Sequence, residues 1–98
     1  MTPETRLRLI LEEVKFERTR QDLKWGGAAH DDQWTPLDWH EMIADYNGWA
    51  RRMVAMGSVY EARGRYIQIA ALAIAAVEAI DRQTEAGRRR LLVRDVTP

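Results

Sequence analysis

Ninety-eight residues, 46% of them hydrophobic and 31% charged, suffice for one domain with its own core and are too apolar for a disordered tail. Lysine plus arginine and aspartate plus glutamate each number 15, so the net charge is zero and the broad positive field that draws proteins to nucleic acid is missing. Cysteine is absent, which excludes disulfides and thiolate-ligated zinc.

The chain reads as all-α, with three main helices over about 3–24, 36–56 and 59–86. Thr2 suits an N-cap, and Pro3 suits the first helical position, where a missing N–H costs nothing. Leu7, Ile10, Leu11 and Val14 recur at helical spacing as one apolar stripe, and Glu12, Glu13, Lys15, Glu17, Arg18 and Arg20 cover the other faces. Gly26-Gly27 ends this helix, and residues 26–35 form a loop.

Thr35, Pro36 and Asp38 together make a strong start signal for the second helix. Trp39, Met42, Ile43, Tyr46, Ala50, Met53 and Val54 then share one side, and Gly57 suits the left-handed position that follows. Ser58 with Glu61 predicts a capping box for the third helix, with Gly87 at its far end. From Tyr66 to Ile80 that helix is apolar almost all round, and a helix apolar on every face must be covered on every face. Two other helices of one chain leave part of it bare, which predicts a homodimer or higher oligomer.

Residues 1–87 form the expected helical domain, and 88–98 a basic C-terminal tail with Leu91-Leu92-Val93 as a short extended arm. The stretch Ile67–Ile80 is interrupted by Gln68 and Glu78 and is shorter than the ~20 residues of a membrane span. Met1–Arg6 lacks a basic-then-apolar signal pattern, so the expected location is the cytoplasm, with no membrane partner.

Three groups of residues carry candidate chemistry. Trp25, Trp34 and Trp39 bracket the 26–35 loop, either as a stacking platform for a nucleobase or as large plugs at the end of a small bundle. His30, Asp31 and Asp32 in the loop, and Glu41 with Asp45 four residues apart on the second helix, are candidate metal ligands. Their plainer readings are a polar turn and a solvated helix face. Arg88-Arg89-Arg90 suits phosphates or an acidic partner, or simply a solvated helix end.

The run Glu17-Arg18-Thr19-Arg20-Gln21-Asp22-Leu23-Lys24-Trp25-Gly26, followed by His30, resembles the "ERxRQxxKWG…H" opening of small MazG-like proteins of bacteriophages and actinobacteria. The run Ile67-Gln68-Ile69-Ala70-Ala71-Leu72-Ala73, continuing to Val77-Glu78-Ala79-Ile80-Asp81-Arg82, resembles that family's closing helix. The resemblance implies an all-α, dimeric or tetrameric fold. In active members an "EExxE" and an "ExxD" hold Mg²⁺ against a nucleoside triphosphate. Laid down without gaps, Asp45, Tyr46 and Trp49 fall at the first motif, and Arg65 and Gln68 at the second. One acid of the five survives.

The leading expectation is therefore a catalytically degenerate, phage-related MazG-like protein with no cofactor. It would bind a nucleotide or a host protein without hydrolysis, through Trp25, His30, Trp34, Arg65 and Gln68. The first alternative is an active Mg²⁺-dependent nucleoside triphosphate pyrophosphohydrolase with a rearranged site. That enzyme would use Glu41, Asp45 and Glu61 for catalysis and Asp31, Asp32, Glu41 and Asp45 for the metal. The second alternative is a purely structural or assembly protein.

Overall fold

A computed structural model describes the backbone of residues 1–95 and the side chains of residues 1–84. Four helices follow in order: α1 (Pro3–Trp25), α2 (Gly27–Asp31), α3 (Pro36–Ala55) and α4 (Val59–Asp95). The described residues contain no strand, as the apolar periodicity requires. Among them no helix is long and apolar enough to cross a membrane.

The helix ends follow from local chemistry. The Thr2 side chain accepts from the Thr5 N–H at 3.1 Å and opens α1. Gly26, at φ 106°, closes it by donating to the Asp22 carbonyl, a backbone conformation that costs little only without a Cβ. Thr35 and Asp38 exchange bonds of 2.9 and 3.2 Å as a complete capping box at the start of α3. At its end Gly57 takes φ 82°. The N–H groups of Gly57 and Ser58 reach back to the Val54 and Met53 carbonyls at 3.0 and 2.8 Å, a Schellman motif.

The structure departs from the sequence expectation in several places. The 26–35 segment is not a plain loop, because Ala28, Ala29 and His30 wind into α2 and satisfy their backbone locally. Ser58 starts α4 through its carbonyl alone. Its N–H is already donated to Met53, so the capping box with Glu61 does not form. Gly87 does not end α4, which runs on to Asp95 and takes Leu91–Val93 into the helix instead of an extended arm. A single glycine costs a helix about 1 kcal/mol, too little to stop one continued by alanine, arginine and leucine. The side-chain roles expected of Arg88–Arg90 lie outside the described residues.

α4 is the element the others share. α3 packs back along it after the short Met56–Ser58 turn, and α1 lies against another side, tied by the Arg63–Glu13 and Arg18–Glu78 ion pairs. Those pairings rise together along both chains, so α1 and α4 run parallel. No Cα atoms of α1 and α3 approach within 8 Å, which leaves a groove between them floored by α4. Arg82 of α4 pairs with Asp32 just beyond α2.

The core joins unequal partners. α3 contributes Trp39 and Tyr46, while α4 contributes Leu72 with Ala75, Ala76 and Ala79; Trp25, Trp34, Met42, Ile43 and Ile69 pack around them. Alanines make one side of α4 shallow enough for aromatic rings to lie on it at high packing density.

Coverage stops there. Of the stripe expected on α1, Val14 is buried and Ile10 half-buried, but Leu7 and Leu11 are exposed, because α4 is one narrow neighbour. Val54 on α3 is exposed too, and Tyr66, Ile74, Val77 and Ile80 stay exposed on α4. Leu72, 1% exposed, is the largest fully buried side chain among the described residues. Leu72→Ala is expected to lower unfolding stability by about 2–5 kcal/mol in urea titration with the fold retained.

Candidate binding groove on α3 and α4

Four side chains of α3 and α4, Tyr46, Trp49, Arg65 and Gln68, meet in space. Tyr46 and Trp49, three residues apart on α3, pack with ring centroids 4.9 Å apart at 52°. Arg65 and Gln68, three apart on α4, face them. The Arg65 guanidinium lies 5.1 Å from the Trp49 ring centroid and 5.9 Å from that of Tyr46, within cation–π range. Its Nη1 donates to Gln68 Oε1 at 3.1 Å. Tyr46 is buried, Arg65 and Gln68 are half-buried, and Trp49 is exposed.

Two clefts open beside this cluster. One, of about 420 Å³, spans all three long helices: Glu13 and Glu17 from α1, Met53 from α3, and Glu61, Arg63, Arg65 and Gln68 from α4. The other, of about 310 Å³, is lined by Trp49, Arg52, Met53, Met56 and Arg65. In the first cleft Glu13 is paired with Arg63 and the buried Glu17 with Arg20. Arg65 has no carboxylate partner among the described residues, so four of its five N–H donors are free of the Gln68 contact. The second cleft carries two guanidinium groups, an indole and no acid. Its chemistry suits an anion bearing a flat aromatic part.

The tryptophans of the 26–35 region lie elsewhere. Trp25 stacks on His30 at 6.2 Å, His30 meets Trp34 at 5.0 Å, and Trp34 meets Trp39 at 4.8 Å. His30 Nδ1 lies 3.0 Å from an oxygen of Asp31, which is 4% exposed. Trp39 and Trp49 are ten residues apart on α3, about 15 Å. The expected binding set is thus divided: Trp25, His30 and Trp34 close one end of the core, and Arg65 and Gln68 line the groove further along.

The candidate acids are dispersed too. Glu41, Asp45 and Glu61 are exposed, Asp31 faces His30, and Asp32 is held by Arg82. Among the described residues no three histidine, cysteine, aspartate or glutamate side chains gather as a metal site. Asp31, Asp32, Glu41, Asp45 and Glu61 therefore do not fit Mg²⁺ as one ligand set. Sequence reasoning placed Glu13 and Glu17 on a solvated face, yet both line the groove. Their four-residue spacing was the available signal, but it does not say which neighbour that face meets.

No protein-family model matches the chain, and no solved structure matches it. Over 59 residues it is 37% identical to the glutamate--tRNA ligase of Pyrobaculum calidifontis (strain DSM 21063 / JCM 11548 / VA1). That match takes in 59% of this chain and 10% of the ligase, so the chain spans a small part of that relative.

Hydrogen bonding from Arg63 holds the Glu13 carboxyl below the ordinary carboxylate range, against a smaller opposing effect of desolvation. A lowered folded-state pKa adds stability above the unfolded-state pKa and loses it as pH falls through the folded value. In an NMR titration, Arg63→Ala is expected to return the Glu13 carboxyl to the ordinary range and to flatten that part of the acid limb.

Proposed function

We propose that the protein is a homo-oligomeric, non-hydrolysing binder of an anionic aromatic ligand, with a nucleotide as the type, in the cleft of Trp49, Arg52 and Arg65. The observation that carries this reading is Arg65 itself. It is held on Trp49 and Tyr46 at the place where the MazG-like resemblance calls for acids, and it has no carboxylate partner among the described residues. A fixed guanidinium can hold phosphate directly, as Mg²⁺ would hold it in an active relative. An indole at the edge of the same cleft offers a face to a base.

The hydrolase reading has less support, since it needs several carboxylates around one cation and the candidates among the described residues do not gather at one point. A cation would also be repelled by Arg65. Self-association is favoured by the apolar side of α4 that the chain leaves bare. A cytoplasmic, phage-related origin goes with the family resemblance. The short match to a glutamate--tRNA ligase, covering 10% of that protein, adds no activity to the proposal.

Adenosine triphosphate titrated without divalent metal is expected to quench tryptophan fluorescence and to raise the melting temperature, as any native-state ligand does. Trp49→Phe should remove the quenching while leaving the thermal shift. Arg65→Gln should weaken binding by roughly tenfold or more, the scale of a lost charge-assisted contact. With Mg²⁺ or Mn²⁺ present, no pyrophosphate should appear. Turnover abolished by Asp45→Ala would replace this reading with the hydrolase, and the lack of both quenching and thermal shift would remove nucleotide binding.

A further inference from the structure

We infer that Gln68 makes this site selective for anions: its neutral amide fixes the Arg65 guanidinium on the rings without cancelling its charge. This rests on the anion-binding reading above and assigns its charge selectivity to a positioning residue. Arg65 and Gln68 are three apart on α4, a spacing at which side chains of a helix meet. Arginine only donates, so the amide oxygen has to face it, and Arg65 Nη1 donates to Gln68 Oε1 at 3.1 Å. Gln68 is itself half-buried, and its backbone carbonyl accepts from Gln21 Nε2 at 3.4 Å across the contact of α1 with α4. Gln21 is 2% exposed, so this bond is made inside the molecule. Three groups therefore hold the guanidinium: one amide oxygen and the rings of Trp49 and Tyr46. Side chains of these three types are neutral at pH 7.

The acids within reach are engaged elsewhere. Glu61 stands four residues before Arg65, the spacing at which a helix pairs glutamate with arginine, yet the guanidinium turns to Gln68 and the rings instead. Of the two α1 acids in the same cleft, Glu13 takes both Nη groups of Arg63. The other, the buried Glu17, accepts from Arg20 Nε with both oxygens, at 2.9 and 2.7 Å. A glutamate at position 68 would have the same length and the same acceptor. It would also bring a charge that pairs with Arg65 and repels an incoming anion. Glutamine reaches as far and accepts the same bond while staying neutral. Arg65 thus keeps its charge, and the four N–H donors that Gln68 does not use, for the ligand.

Adenosine triphosphate and uncharged adenosine, titrated without divalent metal, separate charge from stacking. Gln68→Glu keeps size and acceptor, so the melting temperature of the free protein should stay at or above the wild-type value. The same variant should weaken adenosine triphosphate by roughly thirtyfold or more and leave the weaker binding of adenosine unchanged. Gln68→Met, similar in length but without the acceptor, should free the guanidinium and weaken adenosine triphosphate by only about threefold to tenfold. In NMR spectra of the free protein, the ring-shifted signals of the Arg65 side chain should then move toward their ordinary positions, whereas in Gln68→Glu they should stay shifted. A purely structural role for Gln68 predicts the reverse order of losses, because Gln68→Glu alters the shape least. Undiminished binding of adenosine triphosphate by Gln68→Glu, or an equal loss of adenosine, overturns the charge role and leaves the binding reading standing. Arg65 signals that do not move in Gln68→Met overturn the positioning role. A wild-type chain that shows neither quenching nor thermal shift removes the binding reading and this inference with it.

Discussion

The laying of Trp39 and Tyr46 against the alanine-lined side of α4 is the contact on which the other arrangements depend. Two bulky rings from α3 meet Leu72, Ala75, Ala76 and Ala79, and the mismatch in size is what makes them fit. Because this side of α4 is shallow, α3 can approach closely over much of its length. α1 has no such partner surface on α3 and packs on α4 and, at its end, on the short α2. The molecule is therefore not a closed three-helix bundle but a central helix with one helix on each of two sides.

Two consequences follow from that arrangement. The first is the groove between α1 and α3, whose floor carries Arg65 and Gln68 and whose walls carry Glu13, Glu17 and Met53. Its acidic side chains on α1 are answered by Arg63 and Arg20, while Arg65, resting on Trp49 and Tyr46, has no carboxylate partner among the described residues. Four residues that are unremarkable one by one, Tyr46, Trp49, Arg65 and Gln68, become one constellation once α3 folds back on α4. Their meeting is the ground for the proposed binding of an anion by arginine.

The second consequence is the remaining side of α4. A helix with two neighbours keeps a third face, and here that face is apolar from Tyr66 to Ile80. Surface alanine and valine would be unremarkable singly, but a continuous stripe extended by Ile74 and Leu11 is of the kind that single chains seldom leave in water. The proposed binding groove and this bare face lie on different sides of the same helix.

How much of this was legible in the residues differs from element to element. The caps at Thr2, Thr35 and Gly57, the stop at Gly26 and the all-helical class were fixed by short-range bonding between residues a few positions apart, which the order of residues specifies directly. The far end of α4 was misjudged at Gly87, and the 26–35 loop hid α2, because weak local preferences there are outweighed by the helix formers around them. Which face of each helix is covered was not readable: Leu7 and Leu11 look like core in the stripe and Glu17 like surface, yet their places are reversed. Likewise Trp25, His30 and Trp34 seemed companions of Arg65, but they form a run of rings that ends on Trp39, while Arg65 rests on Tyr46 and Trp49. The sequence by itself determined where the helices begin, most of where they end, and that α4 has too much apolar surface for one chain to cover. Only the tertiary structure decided that the backbones of α1 and α3 stay apart and that Arg65 comes to rest on Tyr46 and Trp49. Those facts depend on which helix faces touch, and that is set by the fit of rings on alanines across the whole length of α4.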